Sequence, residues 1–365
     1  MKDIKLRPET LAVHTAPDPA TGGIVPPIHL ATTYARDAAY QLIDGRDYTR
    51  DKNPTMLVAE QLLASLEGGA AALVMASGMA AATAVFRAWL RPGQHAIVPR
   101  TGYFALRNWA VHFGAAWNVA IEIVDTTDLA AVRAALRPAT KLVWIETPAN
   151  PTWEVTDIAA VADLAHGAGA RLAVDSTCAT PVHSRPLALG ADLVMHSATK
   201  YLAGHSDVLA GALVTPRLDD AWAALCELRH VEGAMLGPVE AWLLQRGMRT
   251  LFARVERQSR TAAGLAQRLA ARGVAVDYPG LASHPQHALA ARQMTGGFGG
   301  MLSIRVPRPL DVVAKLRVWT PATSLGGVES LIEHRHTVEG VNSPTPPELL
   351  RLSVGLEHED DLFDD

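Results

Sequence analysis

Leu172-Ala173-Val174-Asp175-Ser176-Thr177 reads as an apolar strand closed by a carboxylate. About 25 residues later, Leu193-Val194-Met195-His196-Ser197-Ala198-Thr199-Lys200 reads as a second strand closed by a lysine. In an open α/β sheet, ligands bind beyond the carboxyl ends of the strands, so Asp175 and Lys200 are expected to face one crevice. Four more apolar runs precede these two: Leu73-Val74-Met75, Ala96-Ile97-Val98, Ile121-Glu122-Ile123-Val124 and Leu142-Val143-Trp144-Ile145. Between the runs lie amphipathic segments. Leu129, Val132 and Leu136 recur at helical spacing within 128–137, and Ile158, Val161 and Ala165 do so within 157–167, with Thr156 or Asp157 as N-cap and Gly167 or Gly169 as stop. The alternation predicts an α/β fold, a mostly parallel sheet with helices on both faces.

Three units are expected. Residues 1–56 carry Pro8, Pro17, Pro19, Pro26 and Pro27 with little periodicity and read as an extended arm. Residues 57–245 form the α/β domain. In residues 246–365 a long helical stretch, 251–272, leads to a Gly-rich strand region, 295–306, and to short elements, predicting a smaller α+β domain.

Composition limits the function. Apolar residues make up 49% and charged ones 19%, which suits a globular chain and not a disordered one, and the apolar runs are too short to span a bilayer. The opening Met1-Lys2-Asp3-Ile4-Lys5-Leu6-Arg7-Pro8 is basic but leads into no apolar h-region, so a cytoplasmic protein is expected. Cys178 and Cys226, both in apolar surroundings, are too few for a disulfide framework or a structural zinc site and read as packing. A formal charge of −4 with no basic block argues against nucleic acid and for a small-molecule partner.

Pyridoxal phosphate (PLP) needs two groups from a protein: a lysine amine to hold its aldehyde, and an acid against the pyridine nitrogen to keep the ring protonated as an electron sink. Lys200 and Asp175 supply one of each. An arbitrary lysine is a solvated surface residue, but Lys200 is flanked by Ser197, Thr199, Tyr201 and Gly204-His205-Ser206-Asp207, which is not a surface-helix composition. The Ser197 and Thr199 hydroxyls are placed to bond a phosphate. Ala76-Ser77-Gly78-Met79-Ala80-Ala81 follows a strand and opens a helix, so its N–H groups can face an anion. On its own such a turn is plain packing; with Lys200 assigned, it is the natural phosphate cradle.

Asp175-Ser176-Thr177 and His196-Ser197-Ala198-Thr199-Lys200-Tyr201-Leu202-Ala203-Gly204-His205-Ser206-Asp207-Val208 closely resemble the lysine segment of the Cys/Met-metabolism PLP enzymes, the trans-sulfuration family. The resemblance runs through Tyr48-Thr49-Arg50, Glu146-Thr147-Pro148-Ala149-Asn150-Pro151, Ser324-Leu325-Gly326-Gly327-Val328-Glu329 and Leu350-Arg351-Leu352-Ser353-Val354-Gly355. It implies the aspartate-aminotransferase-like fold, fold type I. It further implies that Lys200 carries PLP, that Asp175 pairs with the ring nitrogen, and that Gly78, Met79, Ser197 and Thr199 hold the phosphate. Tyr48 and Arg50 would reach that phosphate from a neighbouring subunit, in a homo-oligomer expected to be a dimer of dimers. Tyr103 would stack on the ring and assist proton transfer, and Arg351 would clamp the substrate carboxylate near Asn150 and Ser324. Without the resemblance, Arg351 reads as a strand arginine pairing with an acid such as Glu357.

The chain departs from the family at Ser176, where Asn is usual, and at Phe104-Ala105-Leu106, where Gly-Gly-Thr is common and a bulkier wall is implied. Thr323 stands where many cystathionine-handling γ-enzymes carry Glu, and Tyr103 has no nearby cysteine like that of typical methionine γ-lyases. The expected chemistry is γ-replacement or γ-elimination on γ-substituted amino acids such as O-succinyl- or O-acetylhomoserine or cystathionine, with a β-lyase or homoserine-ester sulfhydrylase as the nearest alternatives. A non-catalytic PLP-binding regulator is the alternative of another class. A dinucleotide oxidoreductase is set aside because no Gly-x-Gly-x-x-Gly follows an early strand. Glu333-His334-Arg335-His336 lacks a third metal ligand and reads as a solvated helix, with no metal expected. The Arg-rich 246–260 reads as a charged helix face.

Overall fold

The computed structural model describes residues 6–340 and 343–365. Residues 1–5, part of the segment read for an export signal, lie outside it. Twelve strands are found among the described residues: β1 (Ala71–Met75), β2 (His95–Pro99), β3 (Ala120–Val124), β4 (Thr140–Glu146), β5 (Arg171–Asp175), β6 (Leu193–His196), β7 (Gly211–Thr215), β8 (Ala275–Asp277), β9 (Met301–Arg305), β10 (Thr320–Pro321), β11 (Leu331–Glu333) and β12 (Leu349–Ser353).

The first seven form one sheet in the order β1-β7-β6-β5-β4-β2-β3. Strands β6, β5, β4, β2 and β3 pair in parallel, while β7 is antiparallel to both of its neighbours. Alternate residues of each strand face opposite layers, as the two-residue period of a strand requires. Leu142 and Trp144 of β4 pack with the helices Gly78–Trp89 and Phe104–Trp117, whereas Val143 and Ile145 meet the helices Leu129–Ala135 and Ile158–Gly167. Being covered on both faces, β4 keeps an unbroken apolar run from Leu142 to Ile145. Asp157 caps its helix, its carboxylate accepting from the Ala160 N–H.

Strand β7 escapes the pattern because it opens on Gly211 and Ala212, and packing shows why Gly211 must be small. A Cβ on Gly211 would stand 2.0 Å from the Ser77 carbonyl oxygen, so β7 lies directly against the turn that opens the Gly78–Trp89 helix.

The second sheet has the order β10-β11-β12-β9-β8 and packs on the long helix Leu251–Ala271 and the terminal helix Glu359–Asp364. The opening segment is not wholly extended: Pro8–Val13 is a short helix packed on the helix Pro54–Glu67. Helix Pro238–Met248 runs through position 245, where the sequence changes character. Two expectations are corrected. Arg254, in the Arg-rich stretch, is buried and donates to the Tyr201 and Gly247 carbonyls, so that helix is not simply a charged face. Glu333 ends β11 and Arg335 opens a short helix, and both are buried rather than solvated, because their charges neutralise each other inside the protein.

Gly211→Ala is expected to cost about 1–3 kcal/mol of stability, since the obstructing atom is backbone and cannot rotate away. A fall in the thermal unfolding midpoint checks this; an unchanged midpoint counts against the close packing.

Candidate active site

Parallel pairing in register brings the ends of β4 and β5 together, so Glu146 lies beside Asp175 at the carboxyl edge of the large sheet. The cavity beyond that edge holds about 230 Å³, and Asp175, Lys200, Tyr103, Asn150, Ser324 and Arg351 all line it. Gly78, Met79, Ser197 and Thr199 complete one end of it.

Burial drives the Asp175 carboxyl above its usual range, and the Thr177 hydroxyl, the Thr177 N–H and the His196 ring oppose that rise. Thr177 Oγ1 donates to Asp175 Oδ1 at 2.5 Å and the Thr177 N–H reaches the same oxygen at 3.0 Å. The same hydroxyl accepts the Ser197 N–H at 2.8 Å, tying the carboxylate strand to the lysine turn. Lys200 Nζ donates to Ser324 Oγ at 2.9 Å. Burial, and then the nearby Arg351, bring the Lys200 amine below its usual value.

At the other end, Ser77 caps the helix Gly78–Trp89 by accepting the Ala80 N–H at 3.0 Å. The Gly78 and Met79 N–H groups belong to the first turn, where no preceding carbonyl can accept them. A Cβ on Gly78 would lie 2.8 Å from Ser197 Oγ, so only glycine lets this turn approach the serine. Thr199 lines the same cavity. Its hydroxyl donates to the Ala210 carbonyl and accepts the Ala210 N–H, at 3.0 and 2.9 Å.

Arg351 lies in β12 opposite Glu333 of β11, with Nη2 2.6 Å from Glu333 Oε2. It therefore does pair with an acid, but not Glu357, which instead holds Ser330. Arg351 Nη2 also donates to the Ser324 carbonyl at 2.7 Å, and Nη1 to Asn150 Oδ1 at 3.3 Å. Burial brings its guanidinium down to about 10. Ser324 has φ of 116°, a conformation side chains rarely adopt, and it presents its hydroxyl to Lys200 and its carbonyl to Arg351.

Tyr103 precedes the helix Phe104–Trp117 and is 41% exposed on the cavity wall. Of the bulky residues after it, Leu106 lines the cavity and Phe104 does not; the Phe104 ring sits 5.3 Å from Arg335 Cζ. Tyr48 and Arg50 do not line the cavity of their own chain, and Arg50 lies over the half-exposed Tyr48 ring at 5.4 Å. Cys178 forms part of the wall, but burial pushes its thiol far up, away from the reactive thiolate. No cluster of metal-binding side chains occurs among the described residues.

Sequence reasoning passed over Glu146, Thr177, Glu333 and Arg335 as site residues. Glu146 had a usable signal, since it closes an apolar strand as Asp175 does. Its oxygens accept the N–H groups of Tyr103 and Asn150 at 2.7 and 2.9 Å, and burial followed by repulsion from Asp175 pushes it up to about 8. It thereby holds two cavity residues from different loops.

Residues 9–365 match the family model described as Cys/Met metabolism PLP-dependent enzyme. The cystathionine γ-synthase of Mycobacterium tuberculosis (strain ATCC 25618 / H37Rv) is 44% identical over 373 residues, covering 98% of this chain and 95% of that protein. The L-methionine γ-lyase of Pseudomonas putida is 40% identical, again over 98% of this chain and 95% of that protein. The structure of cystathionine γ-synthase from Xanthomonas oryzae pv. oryzae in complex with cystathionine superposes with a TM-score of 0.95 at 37% identity, over 99% of this chain and 97% of that one. The fold is that of the fold type I PLP enzymes, and the chain belongs to the Cys/Met metabolism PLP-dependent enzyme family.

Proposed function

We propose that this enzyme catalyses γ-replacement at an activated homoserine, joining the thiol of an amino acid to Cγ of a homoserine ester, as a cystathionine γ-synthase does. The observation that carries the reading is the meeting of Lys200, Asp175 and Arg351 in one cavity, in a chain similar to cystathionine γ-synthases over nearly its whole length.

The residues present fit PLP. Gly78 leaves room for an anion where a side chain would collide with Ser197, and both hydrogen bonds to Asp175 land on Oδ1, leaving Oδ2 for a ring nitrogen. Lys200 would hold the aldehyde, Asp175 the ring nitrogen, and the Gly78 and Met79 N–H groups with Ser197 Oγ the phosphate. Thr199 would steady that turn by accepting the Ala210 N–H and would join them by turning its hydroxyl proton from the Ala210 carbonyl to the phosphate. When bound, PLP stores the electrons released as protons leave the substrate carbons.

Arg351 grips the substrate α-carboxylate with the support of Asn150 and Ser324, which orients the Cα–H bond towards Lys200. Burial and the nearby Arg351 lower the basicity of Lys200 and so favour its neutral amine, which can take the proton from Cα, pass it on and then take one from Cβ. Ser324 Oγ keeps Nζ on that path. Once both protons are removed, the ester group departs from Cγ as a carboxylate, the thiol adds there as its own proton passes to solvent, and one proton each is returned to Cβ and Cα. Tyr103, on the cavity wall, would pack against the ring and help carry the protons.

We read residues 1–56 as an arm that lends Tyr48 and Arg50 to the phosphate of a neighbouring subunit, which makes the working unit a homo-oligomer, most simply a dimer of dimers. The guanidinium fork of Arg50 suits a phosphate. Among the described residues no helix is long and apolar enough to cross a membrane, and we place the enzyme in the cytoplasm.

Incubating the PLP-loaded enzyme with O-succinyl- or O-acetyl-L-homoserine and L-cysteine should yield cystathionine. Homocysteine plus pyruvate from L-cystathionine would instead identify a β-lyase, cysteine plus 2-oxobutanoate a γ-lyase, and homocysteine made from an ester and sulfide a sulfhydrylase. Lys200→Ala should lose the visible absorbance of the linked cofactor. Arg351→Ala should keep it, because Glu333 retains Arg335 as partner, while KM rises about tenfold to a hundredfold for the lost charged contact. Sedimentation should show an oligomer; a fully active monomer would refute the shared phosphate site.

A further inference from the structure

We propose that Arg335 is a positioning residue for substrate binding: by sharing Glu333 with Arg351, it keeps that acid from closing on Arg351 with both oxygens, so that Arg351 can take the substrate α-carboxylate. The proposal rests on the reading of Arg351 as the carboxylate-binding arginine.

Two guanidinium groups converge on one carboxylate oxygen. Glu333 Oε2 lies 3.0 Å from Arg335 Nη1 and 2.6 Å from Arg351 Nη2, and only the Arg335 contact has hydrogen-bond alignment. Glu333 Oε1 has no partner although it is buried. Glu333 is thus not in the paired, two-oxygen grip that a lone arginine and carboxylate adopt when nothing competes. All three side chains are 3–4% exposed, so water screens none of these charges.

Arg335 is held on its far side. Its Nη2 donates to Glu339 Oε1 at 2.7 Å, and Glu339 Oε2 accepts the Ser343 and Thr345 hydroxyls at 2.6 and 2.8 Å. Burial works against the charge on Glu339, but those hydroxyls and Arg335 outweigh it and keep the carboxyl below its usual range. The Phe104 ring adds a face for the guanidinium, 5.3 Å from Cζ. Arg335 is therefore fixed between two acids and an aromatic ring on the same cavity wall as Arg351.

Without Arg335, Glu333 would have one cation within reach and a free oxygen with which to embrace it. A two-bond grip by Glu333 would neutralise Arg351 and pull it from the Ser324 carbonyl and Asn150, and a substrate carboxylate would have to compete with a buried glutamate. Arg335 also repels Arg351 directly, acting in the same direction as burial and against Glu333. A newly arriving carboxylate relieves that repulsion.

Glycine and glycinamide test this in the PLP-loaded enzyme, with binding followed by the change in cofactor absorbance; glycinamide lacks the carboxylate. Arg335→Gln should raise the glycine Kd about tenfold, the scale of one charge-assisted hydrogen bond, and leave glycinamide binding within about twofold. Arg335→Lys, which can satisfy only one of its two acids, should give a smaller rise with the same selectivity, and serves alone should the glutamine variant not fold. An unchanged glycine Kd, or equal losses for glycine and glycinamide, overturns the proposal. Arg351→Ala is the control: if it too leaves glycine binding unchanged, the assignment of Arg351 fails, whereas loss in Arg351→Ala alone defeats only the role of Arg335.

Discussion

Burying the Asp175 carboxyl at the end of β5 pushes it towards the neutral form, and much of the surrounding structure opposes that tendency. An acid that bonds a pyridine nitrogen must stay charged to keep the ring protonated. The opposing groups come from two places: the Thr177 hydroxyl and N–H from the same turn, and the His196 ring from the neighbouring strand, which Glu67 holds with its Oε1 2.6 Å from His196 Nε2. Glu146 carries the complementary half. Placed beside Asp175 by strand register, it shares the burial and is displaced further by the repulsion between the two acids. Its position lets two loops, those of Tyr103 and Asn150, be tied to the sheet edge by backbone N–H groups.

The second constraint is charge balance on the opposite wall. Arg351 and Arg335 face Glu333 and Glu339, two cations and two anions enclosed together. The small sheet makes this possible because antiparallel pairing sets Glu333 opposite Arg351, and the turn after β11 returns Arg335 to the same acid. The wall is locked to the large sheet by Trp153, which donates to Ser303 Oγ at 2.9 Å, while that hydroxyl donates to the Pro151 carbonyl at 2.7 Å. The loop carrying Asn150 is therefore tied to β9, the neighbour of the strand that holds Arg351.

These two constraints explain why the site lies where the sheets meet. The large sheet sets Asp175 and the turn carrying Lys200 at its carboxyl edge, and the small sheet sets Arg351 in its central strand, facing the same cavity. Ser324 joins them, its unusual backbone conformation turning the hydroxyl to Lys200 and the carbonyl to Arg351.

From its local patterns alone the sequence determined the alternation of strands and helices, the capped helix from Ile158, and the facing of Asp175 and Lys200 into one cavity. Each of these is written in neighbouring positions: apolar runs of strand length, a polar residue before a helical period, a charged residue at a strand end. Strand β7 was not legible because its small residues answer to the Ser77 carbonyl, a contact between segments more than 130 positions apart. The partners of Arg351 and the burial of Glu333 and Arg335 were likewise beyond local reading. An arginine between apolar residues carries no mark of which acid will lie across the sheet, and a Glu-x-Arg pair looks the same in water as in a core. Strand register and the desolvation that follows from it exist only in the folded chain, and they decided which charged residues became the site and which, like Glu357, became structure.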